Sequence, residues 1–201
     1  MHPPLLIATT NPGKLGEIRA LLDGAPVTLV RLLDRPGIAE PEETGTTFAE
    51  NALLKARYYA AATGLTTIGE DSGLEIDALG GEPGIHSARY PGASYPEKFA
   101  NLYRRLEGTP RPWRARFVST VACVAPSGET LYTTRGTIEG EIAPEPRGTH
   151  GFGYDPIFLY PPYGLTLGEV SGAKKLAVAH RGKAFRNVRA WLDRGGLSPG
   201  G

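Results

Sequence analysis

Cysteine is nearly missing from this chain. Its 201 residues include one, Cys123. No disulfide can form within the chain. Cys123 sits in the mostly apolar run Phe117 to Val124 and reads as a small buried hydrophobe rather than a catalytic thiol. An excess of charge is missing as well: Lys plus Arg is 22 and Asp plus Glu is 21, a formal net charge of +1. That balance supplies no general field for gripping a nucleic-acid polymer, so an anionic ligand has to be held by a local cluster. Long apolar runs are missing too. No stretch approaches the roughly 18 residues that mark a membrane-spanning helix. The start of the chain holds one short apolar run, Leu5 to Ala8, without the basic segment and long apolar core of a signal peptide. Together these absences predict a cytoplasmic protein with no membrane and no nucleic-acid polymer as partner.

Glycine and proline are plentiful, at 27 and 18 residues. Loops and tight turns should therefore be numerous and functional. The length suits a single α/β domain over 1–201, with two lobes sharing a core. Leu5 to Ala8 reads as a buried strand. Leu15, Ile18, Leu21 and Leu22 recur at helical spacing, and Gly24 can end that helix. Val27 to Leu33 reads as a strand. Thr47 followed by Glu50 forms a capping box, so a helix starts there and ends at Gly64. Thr66 to Ile68 and Leu74 to Leu79 read as strands on either side of Glu70-Asp71-Ser72-Gly73. Pro96 to Leu106 reads as a helix. Arg116 to Ala125, Thr130 to Thr134 and Thr137 to Ile142 read as an antiparallel meander, with turns at Ser127-Gly128 and Arg135-Gly136. A Gly- and Pro-rich loop covers Pro144 to Gly164, a last helix ends near Leu192, and Leu197 to Gly201 reads as a frayed tail.

Four segments carry chemistry. Thr9, Thr10, Asn11, Pro12, Gly13 and Lys14 form a polar turn between strand and helix. Free backbone N–H groups, hydroxyls and an ammonium there suit a phosphate. The segment is not a Walker motif, and an ordinary helix start fits it equally well. Glu70-Asp71-Ser72 lies between Gly69 and Gly73, with Glu42-Glu43 in an earlier acidic loop. Carboxylates suit Mg²⁺, which usually takes one or two of them; a solvated turn fits as well. In Gly151-Phe152-Gly153-Tyr154-Asp155-Pro156, Phe152 can stack on a base and Asp155 can accept from ring N–H or ribose hydroxyl groups. A surface loop with Phe152 folded into the core is the alternative. Lys175 and His180 would stand about 140° apart on one continuous helix. If both reach one ligand, the chain must break between Val178 and His180. Ala184, Val188 and Leu192 would then give the second helix its own apolar stripe. A solvated basic face is the alternative.

Taken in order and spacing, these segments resemble the inosine/xanthosine triphosphate pyrophosphatase family. The matching stretches are Ala8 to Lys14, Glu42 to Gly45, Thr47 to Ala52, Asp71 to Leu74, Gly80-Gly81 with Pro83-Gly84, Ser87 to Tyr90, Gly151 to Pro156, and Ser171 through Arg181. The resemblance implies an elongated mixed β-sheet flanked by helices, two lobes with an active-site cleft between them, and a homodimer. It implies hydrolysis of ITP, dITP, XTP and dXTP to the monophosphate and pyrophosphate, which cleanses the nucleotide pool.

The implied roles are these. Thr9 to Lys14 bind the triphosphate. Asp71 is the general base and a Mg²⁺ ligand, with Glu42 preferred over Glu43 as the second ligand. Ser72 contacts substrate. Phe152, Gly153, Tyr154, Asp155, Lys175, His180 and Arg181 surround base and sugar. Lys55 and Arg89 are further candidates for phosphate contact. Glu70 departs from the family, which often has Asp there. Donors such as Arg181 would accept a 6-oxo purine and reject adenine, whose 6-amino group would face another donor. Two rivals stand beside this reading: a broader nucleoside triphosphate pyrophosphatase, and a non-catalytic nucleotide-binding protein.

Overall fold

The computed structural model describes residues 2–197; beyond Leu197, the expected frayed tail lies outside the described residues. The strands are β1 (Pro4–Ile7), β2 (Thr28–Arg31), β3 (Thr66–Ile76), β4 (Arg114–Val124), β5 (Thr130–Ile142), β6 (Phe158–Tyr160) and β7 (Leu165–Thr166). The α-helices are α1 (Pro12–Leu21), α2 (Phe48–Thr63), α3 (Tyr95–Leu106), α4 (Gly172–Val178) and α5 (His180–Asp193). The strands hydrogen-bond in the order β2-β1-β3-β4-β5-β6-β7. β1 runs parallel to both β2 and β3, and β6 runs antiparallel to β5 and β7. The sheet is therefore mixed and flanked by helices, as expected.

The chain divides into two compact units. The first takes residues up to Asp71, Ser119–Gly136 and the chain from Arg181; the second takes Ser72–Val118 and Thr137–His180. In the first unit, Leu5 and Ile7 of β1, Ile68 of β3, and Val121 and Cys123 of β4 pack with Leu15 and Ile18 of α1. Ala184, Val188 and Leu192 of α5 join them at the i, i+4, i+8 spacing read from the sequence. In the second unit, Phe99, Leu102 and Leu106 of α3 pack with Leu74, Ile76, Phe117, Ile138 and Phe158 of the sheet.

Helix ends follow local chemistry. Asn11 caps α1 through its side chain, and Pro12 stands at the first helical position, where its missing N–H costs nothing. Thr47 and Glu50 form the reciprocal capping box of α2, and Gly64 ends that helix in the left-handed conformation (φ +68°). α4 stops at Ala179, whose extended backbone (ψ 157°) lets α5 begin at His180. The break falls where a shared ligand for Lys175 and His180 would require it.

Three readings are corrected. β3 runs unbroken through Glu70-Asp71-Ser72-Gly73. Turn chemistry suggested an interruption, but Lys14, Lys55 and Arg181 supply counter-charges that let both acids stay buried within a strand. β5 runs unbroken through Arg135-Gly136; Gly136 is not at positive φ, so it makes no turn. The second strand is shorter than expected, because Leu32–Asp34 coil into a 3-10 turn and Asp34 accepts a forked pair of bonds from Arg31.

One glycine is required by close approach. The face of α2 toward the sheet is built of Ala52, Ala56 and Ala60 against Ala122 and Val124. A Cβ at Gly69 of β3 would lie 2.2 Å from the Ala52 carbonyl oxygen and 2.7 Å from the Ala56 nitrogen. Neither backbone atom can yield. Gly69→Ala is expected to destabilise the protein by at least the ~1–3 kcal/mol typical of overpacking. A urea denaturation midpoint equal to that of the unsubstituted protein would refute this close fit.

Candidate active site

The register of the first unit assembles an acidic and basic cluster. Leu5, Leu6 and Ile7 of β1 pair with Thr66, Thr67 and Ile68 of β3, and Ala8 N donates to the Ile68 carbonyl at 2.9 Å. Past these pairs, one strand leads into Thr9 to Lys14 and the other into Glu70 and Asp71. The turn and the acids thus meet at the carboxyl ends of parallel strands, where ligands of open α/β sheets bind.

Within the turn, Thr9 Oγ1 accepts from the Asn11 amide at 3.2 Å, and Asn11 Oδ1 accepts from the Lys14 amide at 3.1 Å. The exposed Thr10 hydroxyl donates to Glu40 at 2.8 Å. Pro12 and Gly13 start α1, and the Lys14 ammonium lies 2.9 Å from Glu70 Oε2.

Asp71 is 6% exposed. Its Oδ1 accepts from Lys55 Nζ at 3.1 Å and its Oδ2 from Asn51 Nδ2 at 3.3 Å. Lys55 also donates to Glu43 Oε1 at 2.8 Å. Burial pushes the Asp71 carboxyl above its ordinary value, against the pull of Lys55 and Lys14. The Lys55 ammonium is pressed downward by its burial, but Asp71 and Glu43 outweigh this and raise it. Asn51 ties the acidic loop to this point, because its Oδ1 accepts from the Gly45 amide at 2.9 Å.

Glu70 lies deeper. Its Oε1 receives Ser119 Oγ at 2.8 Å, Arg181 Nη2 at 3.0 Å and Arg181 Nε at 3.2 Å. Arg181 Nη1 reaches Glu17 Oε2 at 2.5 Å. Burial would raise the Glu70 carboxyl. Arg181 first, then Lys14, overcome it and hold the group ionised, well below the usual carboxylate range.

A divalent cation can be tested against this donor set. Glu43 and Asp71 direct one oxygen each at a single positive charge, now the Lys55 ammonium. Hard carboxylate oxygens suit Mg²⁺, and two from the protein leave room for phosphate oxygens and water in an octahedron. The residues fit such an ion. Glu42, preferred from the sequence, is exposed, whereas the adjacent Glu43 is half-buried on Lys55.

The second unit holds the aromatic segment. Gly151 has φ +73°, and a Cβ there would lie 2.1 Å from Asp155 Oδ2. The close turn lets the Phe152 amide donate to Asp155 Oδ2 at 2.8 Å. Lys175 Nζ reaches the same oxygen at 2.5 Å and stands 4.5 Å from the centre of the Phe152 ring. Phe152 is half-buried, so a ring face remains near the surface, while Asp155 and Lys175 are buried. Gly153 is half-buried and lies close to the Tyr95 ring. Tyr154 is buried edge-on against Tyr95, and its hydroxyl donates to the Ser87 carbonyl at 2.7 Å. Ser87 Oγ in turn accepts from the Leu74 amide, which anchors the Ser87–Tyr90 stretch behind this loop. His180 stacks on Phe117 with ring centres 4.8 Å apart. Ser72 is half-buried on β3.

The structure thus gathers Thr9 to Lys14 and Asp71 in the first unit, and Phe152 to Asp155 with Lys175 in the second. The Arg181 guanidinium, 2% exposed, is committed to Glu70 and Glu17 in the first unit. Arg89 lies exposed at the end of a 3-10 turn in the second unit. Sequence reasoning missed Asn51, Glu17 and Ser119. Asn51 had a signal: it sits four residues before Lys55 on α2, so both extend from one face. Ser119 and its neighbour Thr120 put two hydroxyls inside the otherwise apolar run of β4, and the partner of Ser119 lies 49 positions away.

The model of the Ham1 family matches residues 5–191. A dITP/XTP pyrophosphatase of Geobacter sulfurreducens is 47% identical over 196 residues, covering 96% of this chain and 98% of the relative. One of Exiguobacterium sibiricum is 46% identical over 191 residues, covering 94% and 96%. The structure of a HAM1 protein from Coxiella burnetii superposes with a TM-score of 0.89 at 36% identity, covering 96% of this chain and 99% of that one.

Proposed function

The chain belongs to the Ham1 family, and from that premise we propose that it hydrolyses non-canonical purine nucleoside triphosphates, dITP, ITP, XTP and dXTP, to the monophosphate and pyrophosphate. The observation that carries the reading is the Asp71 cluster: a buried carboxylate between Lys55 and Asn51, in the same unit as a helix-capping turn that presents Lys14.

The roles follow from position. Thr9 to Lys14 take the triphosphate, through the Gly13 N–H at the start of α1 and the Lys14 ammonium. Asp71 accepts a proton from the attacking water. Lys55 and Asn51 hold it in one orientation for that transfer. Mg²⁺ is the proposed cation, held by Asp71 and Glu43, and when bound it offsets phosphate charge and orients the scissile group. Water adds to the α-phosphorus, the α–β phosphoanhydride opens, and pyrophosphate leaves with the bond electrons.

In the second unit, Phe152 offers a stacking face, and Lys175 stands over it as a donor for a 6-oxo purine. Ser72, Gly153, Tyr154, Asp155 and His180 complete the assignment for base and sugar. Arg181, whose guanidinium also holds Glu70 and Glu17, stays in this assignment beside His180. Adenine is disfavoured because its 6-amino donor would face the Lys175 donor, a mismatch costing about 1–3 kcal/mol when buried. A homodimer living in the cytoplasm is part of the proposal and rests on the family. Among the described residues, no helix is long and apolar enough to cross a membrane.

The test is pyrophosphate release from ITP, XTP, ATP, GTP and a modified pyrimidine triphosphate, each with and without Mg²⁺. Release should require the metal and favour ITP and XTP over ATP by about fivefold or more, the least that a mismatched buried donor is worth; GTP shares the 6-oxo group, so its rejection rests on the family alone. Equal rates on ATP and GTP would sink the cleansing role and leave the broader pyrophosphatase. Binding without any release would leave a non-catalytic nucleotide-binding protein.

A further inference from the structure

We propose that Ser119 is a positioning residue for the Lys14 ammonium, acting through Glu70. The inference rests on the reading of Lys14 as a triphosphate contact. It starts from a polar atom where none is expected: Ser119 is fully buried in β4, between residues that pack the sheet. Its hydroxyl donates to Glu70 Oε1 at 2.8 Å. Two Arg181 nitrogens bond the same oxygen. Three donors converging on Oε1 fix the carboxylate plane and leave Oε2 directed at Lys14 Nζ, 2.9 Å away.

The chain of contacts closes on itself. Arg181 is held from its far side by Glu17, which stands on α1 three residues after Lys14. Glu17, Arg181, Glu70 and Lys14 therefore begin and end on one helix, and Ser119 is the uncharged donor that orients the central carboxylate. The consequence concerns entropy. A lysine side chain loses rotamer freedom when it is fixed. An ammonium already held by Glu70 has given up most of that freedom before a phosphate arrives, and it retains further N–H donors with which to meet the ligand. Removing the Ser119 hydroxyl frees the Glu70 carboxylate to turn, and Lys14 with it. Neither Ser119 nor Glu70 needs to touch the substrate for this.

The test is a double-mutant cycle on the full chain with Ser119→Ala, Lys14→Met and the pair. Two quantities are read: the Kd for inorganic tripolyphosphate by calorimetry, and kcat and KM for ITP. Ser119→Ala should weaken tripolyphosphate about threefold to tenfold, the share of a charged hydrogen bond passed on through Glu70. Most of the kinetic change should fall in KM. In the Lys14→Met background, Ser119→Ala should leave the Kd unchanged. A merely structural loss would weaken binding by the same factor in both backgrounds, and that result overturns the proposal, as does an unchanged Kd in the single variant. If Ser119→Ala does not fold, Glu70→Gln keeps the shape and Oε1 acceptor while removing the charge that faces Lys14. The loss caused by Lys14→Met should then shrink, and an undiminished loss is again fatal. Failure of the functional reading looks different: the unsubstituted protein would not hydrolyse ITP, whatever the tripolyphosphate cycle showed.

Discussion

Asp71→Asn is expected to lower kcat for ITP by about two to four orders of magnitude, the usual contribution of a general base. Nucleotide affinity should stay within a few-fold of the unsubstituted protein. The substitution is nearly isosteric. Asn51 can still donate to the remaining carbonyl oxygen, and Lys55 keeps its bond to Glu43, so the cluster should hold its shape. What disappears is the lone pair able to take a proton from water and one unit of negative charge. The triphosphate contacts proposed for Thr9 to Lys14 do not pass through Asp71, which is why binding of the nucleotide measured without Mg²⁺ should survive. Single-turnover pyrophosphate release, set beside equilibrium binding of a non-hydrolysable ITP analogue, separates the two quantities. Turnover within threefold of the original would remove Asp71 from the role of base.

Lys175→Met should produce the largest loss of stability, about 3–5 kcal/mol, the usual cost of breaking a buried ion pair by removing one partner. Lys175 and Asp155 have side chains only 3% and 2% exposed, with Nζ and Oδ2 2.5 Å apart. Methionine fills the lysine stem's volume but takes away the ammonium. The Asp155 carboxylate then keeps the Phe152 amide without the neighbouring charge that offset its burial. Because that oxygen also closes the Gly151–Asp155 turn, Phe152 should lose its fixed orientation. Urea denaturation followed by intrinsic fluorescence measures the first effect. A loss below 1 kcal/mol would show that the pair is not a principal support of this loop.

Local chemistry was readable wherever it ended within a few residues. The Thr47–Glu50 capping box follows from side chains bonding nearby backbone, and the Gly64 stop from glycine's access to the left-handed conformation. The α5 stripe was readable because helical periodicity is local. The same locality misled at Glu70 to Gly73 and at Arg135-Gly136. Polar and glycine residues favour turns when considered alone, but each lies inside a long strand whose neighbours come from elsewhere in the chain.

What the sequence determined by itself was the inventory: a near-neutral chain with its acids, its phosphate-type turn and its aromatic loop in a family's order. That order is one-dimensional, and it was enough to point to the family and to the reaction its relatives are named for. Which carboxylate meets which cation was decided only by the tertiary structure. Parallel pairing of β1 with β3 brought Lys14 to Glu70, and α2 carried Lys55 onto both Asp71 and Glu43. Arg181 met Glu70 and Glu17, because a buried carboxylate such as Glu70 demands a counter-charge. Coulomb attraction acts across a few ångströms of space, and a sequence carries no measure of that distance.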